Sequence, residues 1–128
     1  MLNVNPETVC FLISKAREFH AKEAVVIPEV PMSPAEDWAR QVLADHADDA
    51  CLGEFTATFQ DLEPDQQYEV VALMWVGRGD FDKADWAQAI DEARANASME
   101  TPRYLIAHPM LADHLEEGLL AFDYRCEA

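Results

Sequence analysis

The sequence predicts an all-α protein, a single compact bundle of five to six helices packed around a central apolar helix at about residues 64–76. Three observations carry this. Helix-start signals recur along the chain, and most of them combine a capping residue with a proline at the first helical position, as in Asn5-Pro6-Glu7 and Ser33-Pro34-Ala35-Glu36. Apolar residues return every three or four positions between these signals. No segment sustains the two-residue alternation of a half-buried strand.

The elements follow in order. Pro6 opens a first helix whose apolar positions Val9, Leu12, Ile13, Ala16 and Phe19 run to about His20. Pro28 and Pro31 stop any helix through residues 24–32, which read as an extended connector with Val25 to Ile27 on the core. Ser33 and Glu36 form a capping box for a second helix that carries Trp38, Val42 and Leu43 and ends near Ala47. Asp48 or Asp49 caps a third, with the stripe Leu52, Phe55, Phe59 and Leu62. Pro64 opens the fourth. Its segment Val70–Val76 is apolar nearly all round, which suits a helix covered on several sides, and Gly77 is the expected stop. Trp86, Ala89, Ile90 and Ala93 mark a fifth helix, Thr101-Pro102 a short helical turn through Ala107, and Pro109 the start of the last, with Leu111, Leu115, Leu119 and Phe122 inward. Gly118 inside that helix costs about 1 kcal/mol of propensity, which implies a neighbour that needs room or an early helix end. The core is expected to contain Leu12, Ile13, Phe55, Phe59, Tyr68, Val71, Ala72, Trp75, Trp86 and Leu115.

Length and composition fit one domain, residues 1–128, that builds its core without metal or disulfides: the chain has 128 residues, half of them hydrophobic. The cysteines Cys10, Cys51 and Cys126 are odd in number and widely spaced, with no C-x-x-C pair. They read as thiols of a reducing compartment, Cys10 and Cys51 buried and inert, Cys126 near the exposed C-terminus. Residues 1–13 lack a basic leader, and no apolar run approaches the roughly 18 residues of a membrane span, so a soluble cytoplasmic protein is expected.

The formal net charge is −16, and half of it falls on one stretch: residues 41–77 hold eight acids and no Lys or Arg. Phosphate backbones are repelled by such a surface, so direct nucleic-acid binding is not expected. A protein partner, basic or itself nucleic-acid-binding, is favoured. The candidate partner-binding residues are Asp45, Asp48, Asp49, Glu54, Asp61, Glu63, Asp65 and Glu69. Carboxylates spaced on helix surfaces can also imitate a phosphate array, which gives a sharper form of the same idea, a DNA mimic that occupies a nucleic-acid-binding protein. The bland alternative is a solvated acidic face that keeps the protein soluble.

Catalytic and metal patterns are weak. Asp80-Phe81-Asp82-Lys83-Ala84-Asp85 begins like a calcium loop, but Ala84 and Asp85 stand where a ligand and a glycine are required; Asp82 as a helix cap and Asp85 near the dipole explain the acids. Arg78-Gly79-Asp80 reads as a helix stop and turn. His114 with Glu117, and His46 among Asp45, Asp48 and Asp49, match no zinc or di-iron spacing, and Cys51 with His46 makes no convincing nucleophile pair. No cofactor or metal is predicted. The reading is a non-enzymatic acidic binding or regulatory module. A small metal-dependent enzyme, with His46, Asp45, Asp49, His108 and His114 as its residues, is the competing class.

Several phrases together resemble a family of small bacterial proteins of unknown function: LADHADD at 43–49, ALMWVGRGD at 72–80, Asp85-Trp86, and YLIAHPMLADHLEEGL at 104–119. The resemblance covers most of the chain. It implies an intracellular bacterial setting and brings no activity, cofactor or site residue.

Overall fold

The structure is a computed structural model and describes residues 2–22 and 50–126. The connector at 24–32, the helix expected over 33–47, and Asp45, His46, Asp48 and Asp49 lie outside the described residues. Within them the protein is an all-α bundle of six helices: α1 Pro6–Lys22, α2 Ala50–Gln60, α3 Pro64–Arg78, α4 Trp86–Ala95, α5 Thr101–Ile106 and α6 Leu111–Ala121. No strand occurs among the described residues. None of their helices is long and apolar enough to cross a membrane.

Local chemistry sets the helix ends. Asn5 Oδ1 accepts the Glu7 N–H at 2.9 Å, which satisfies a donor in the first turn of α1. Gln66 Oε1 reaches back to the Glu63 N–H at 3.0 Å at the start of α3. That helix does not stop at Gly77. It runs on to Arg78, and Gly79, at φ +97°, takes the left-handed conformation that ends it. The Gly79 N–H donates to Val76 O at 3.1 Å and the Asp80 N–H to Trp75 O at 2.9 Å, the paired bonds of a Schellman ending. Asp82 makes no side-chain cap; a single 3-10 turn, Lys83–Asp85, leads into α4. Pro109 lies two residues ahead of α6, which begins at Leu111.

The core follows the helical stripes. Val9, Leu12, Ile13, Ala16 and Phe19 of α1 meet Leu52, Phe55 and Phe59 of α2 and Leu111, Leu115 and Leu119 of α6. Every residue from Val70 to Trp75 is buried, so α3 is the central helix. Side chains of this size contribute about 1.5–3 kcal/mol each when fully buried. Tyr68 and Trp86, expected in the core, are only half-buried at its rim, Trp86 edge-on to Phe122 with ring centroids 4.7 Å apart.

Gly77 and Gly118 share one physical cause. Helix α3 packs most extensively on α6. A Cβ on Gly77 would collide with the His114 carbonyl, and a Cβ on Gly118 would collide with the Leu73 carbonyl. The two glycines let the backbones touch, and α6 continues past Gly118 to Ala121. The propensity cost at Gly118 is thus offset by close helix packing.

The cysteine expectation is corrected. Cys10 and Cys126 form a disulfide, with Cα atoms 5.7 Å apart and a sequence separation of 116. Neither is an inert thiol, and the cysteine argument for a reducing compartment loses these two residues. Neither spacing nor local pattern signals the pair, because the fold alone brings the C-terminal segment across α1. Cys51 is buried as expected.

Candidate functional site

The turn between α2 and α3 carries the acidic stretch. Asp61 and Glu63 in that turn and Asp65 in the first turn of α3 are exposed, and no ion pair among the described residues engages any of them. Glu54, one face back on α2, is also exposed, and it pairs with Lys15 of α1 at 2.8 Å. That base stands 39 positions away in sequence and neutralises part of a stretch with no base of its own. Exposed pairs of this kind contribute little stability. Three carboxylates within five residues, none of them in an ion pair among the described residues, therefore make this corner negative, with the N-terminus of α3 beside Glu63 and Asp65.

Glu69 does not belong to this face. It is 4% exposed, on the inner side of α3. Its Oε1 accepts the N–H groups of Asn3 at 2.8 Å and Val4 at 2.7 Å, and Oε2 lies 3.1 Å from the Asn3 nitrogen. A buried carboxylate needs such donors. Glu69 anchors the segment ahead of α1 and is structural, so it leaves the set of partner-binding residues. Its place in an i, i+4 row of acids after Asp65 hid this, because the N-terminal donors come from 65 residues away.

Beside the acidic turn lies a groove of about 460 Å³ between the start of α3 and the loop joining α4 to α5. Gln60 and Pro64, the residues that flank the turn, both line it, together with Phe59, Tyr68, Met99 and Pro102. Met99 is 90% exposed.

A second polar cluster forms where α3 ends against α5 and α6. Trp75 Nε1 donates to the Tyr104 hydroxyl at 3.0 Å, in the interior. Arg78 lies near that hydroxyl and holds Asp80, its Nε 2.8 Å from Asp80 Oδ2. Burial raises the Tyr104 pKa, against the pull of Trp75 and Arg78. His108 stacks edge-on against Tyr104 at 4.7 Å. Its Nδ1 lies 2.8 Å from the Tyr104 carbonyl, which can only accept, so Nδ1 carries the proton. Nε2 is buried with no hydrogen-bond partner among the described residues. Burial, with Arg78 nearby, lowers the His108 pKa to about 4, despite the carbonyl, so the ring is neutral near pH 7. His114 on α6 is lowered too, first by burial and then by Arg78. His20 is lowered by burial, its Nε2 2.8 Å from the Ile106 carbonyl.

Of the histidines and acids considered for catalysis, His108 and His114 are the ones among the described residues, and the structure brings both to this corner. His108 is 2% exposed, which shields its nitrogen from any substrate arriving through water. No group of three His, Cys, Asp or Glu side chains gathers for a metal among the described residues. Trp75, Tyr104 and Arg78 escaped notice in the sequence as a polar network. The available signal was that Trp and Tyr in apolar runs need partners for their N–H and O–H groups.

A model for a protein family of unknown function, DUF3775, matches residues 53–124. The chain belongs to the DUF3775 family. The DUF3775 match takes in α3 to α6 whole, and with them the acidic turn, the groove and the Trp75–Tyr104–His108 cluster. No curated protein and no solved structure matches the chain.

Proposed function

We propose that this DUF3775 protein is a non-enzymatic binding module that engages a basic protein surface through the carboxylates of the α2–α3 turn. The observation that supports it most is the exposure of Asp61, Glu63 and Asp65 without a neutralising cation among the described residues. Charge of one sign on a rigid corner steers an oppositely charged partner and sets its register more than it supplies raw affinity. The corner is rigid because α2 and α3 are both rooted in the core through Phe59 and Val70. The burial of His108 weighs against an enzyme built on that residue.

Salt dependence tests the reading. Partners captured from a host extract by the immobilised protein should elute as ionic strength rises toward about 1 M, where the screening length falls to about 3 Å. Capture that is indifferent to salt would count against an electrostatic surface.

A further inference from the structure

We infer that the groove beside the acidic turn is the docking site for a short basic segment of a partner protein that carries a large aliphatic side chain as its anchor. The inference rests on the binding-module reading and names the place and the chemistry.

The groove is apolar where it is deepest. Phe59 and Pro102 are buried in its floor, half-buried Tyr68 and exposed Pro64 form one side, and Met99 stands over the other. Methionine is unbranched and polarizable, and it adapts to the shape of an incoming apolar group. A methionine 90% exposed beside such a floor gains contacts only when something fills the groove.

Charge decides what fills it. Asp61 and Glu63 lie in the turn between the lining residues Gln60 and Pro64, and Asp65 follows directly. The rim on that side is therefore negative. The cation at the groove, Arg94, lies over the Tyr68 ring at 5.6 Å and is held by Asp91 at 2.9 Å, so it is already committed. Gln67, also in the lining, has spent its amide on the Phe59 and Leu62 carbonyls at 3.1 and 3.2 Å. An aliphatic anchor in the groove with Lys or Arg on either side satisfies both the floor and the rim.

The test is an amide-resolved NMR titration of the full chain with two synthetic hexapeptides. One has two leucines flanked by pairs of lysines; the other has glycines in place of the leucines. The leucine peptide should bind at least tenfold more tightly, shift the amides of Gln60, Tyr68 and Met99, and weaken with added salt. Met99→Ser, at an exposed position, should remove most of the leucine advantage and leave the fold unchanged. Equal binding of both peptides at Asp61, Glu63 and Asp65 would overturn the groove and leave the acidic-surface reading standing. Shifts elsewhere, or no binding of either peptide at millimolar concentration, would also overturn the groove, and the salt dependence of capture then judges the surface reading separately.

Discussion

Glu69 Oε1 accepts the backbone N–H of Val4 at 2.7 Å, joining the middle of the central helix to the start of the chain. The bond decides how an acid in the most negative stretch is read. It predicts that Glu69→Ala destabilises the protein by about 2–3 kcal/mol, because charge-assisted bonds to buried donors are lost and those donors are stranded. Chemical denaturation measures it. A loss under about 0.5 kcal/mol would return Glu69 to the surface set.

Gly118 and Gly53 should respond in opposite directions to the same substitution. Gly118→Ala drives a methyl into the Leu73 carbonyl and should cost about 3 kcal/mol or more as α3 and α6 separate. Gly53 is exposed in α2 with nothing among the described residues within 4 Å of a Cβ, so Gly53→Ala should stabilise by about 1 kcal/mol through helix propensity. Thermal unfolding of the two variants checks both signs.

His108 should make stability depend on pH. Its ordinary value of 6.5 falls to about 4 in the folded protein, so between those values the unfolded chain binds more protons than the native one. Stability contributed by the neutral ring is then complete above about pH 6.5 and lost as pH falls toward 4, about 3 kcal/mol in all. His20 and His114, both lowered by burial, act in the same direction, the second partly through Arg78. His108→Phe should flatten most of the change between pH 6.5 and 4. An unchanged slope would show that His108 is not the buried neutral group described.

The Cys10–Cys126 bond closes nearly the whole chain into one loop. In the chain-entropy account, closing a loop this long contributes about 4–5 kcal/mol. Alkylation of the denatured, unreduced protein should label Cys51 alone, and labelling after reduction should reach all three cysteines. Reduction should lower the thermal midpoint by several degrees. Full labelling without reductant would mean that the two thiols do not pair.

Most of the helices that the structure describes were legible because they combine a start signal with an apolar stripe, as Asn5-Pro6 does with Leu12 and Phe19. The first misreading was a stop. Gly77 looked like the end of α3, but its demand for space comes from His114 on another helix, and no local pattern reports a crossing. The acids divided in the same way. Asp61 and Glu63 sit in a turn and Asp65 just after it in the first turn of α3, where exposure follows from the loop itself. Glu69 sits on a helix face whose partner, the Asn3–Val4 backbone, is remote in sequence. Cys10 and Cys126 are the extreme instance, a contact set only by the completed fold. The groove was invisible for the same reason, since Tyr68 belongs to α3 and Met99 to the loop between α4 and α5.

The central claim is that the carboxylates of the α2–α3 turn bind a basic protein. Replacing Asp61 and Asp65 with Asn and Glu63 with Gln removes three charges at exposed positions and should leave the thermal midpoint within a few degrees. Comparing the proteins captured by this variant and by the original chain, at equal low salt, tests the claim directly. The account predicts that basic partners held by the original chain are lost from the variant by at least tenfold. The same partners retained at the same level by a folded variant would contradict it.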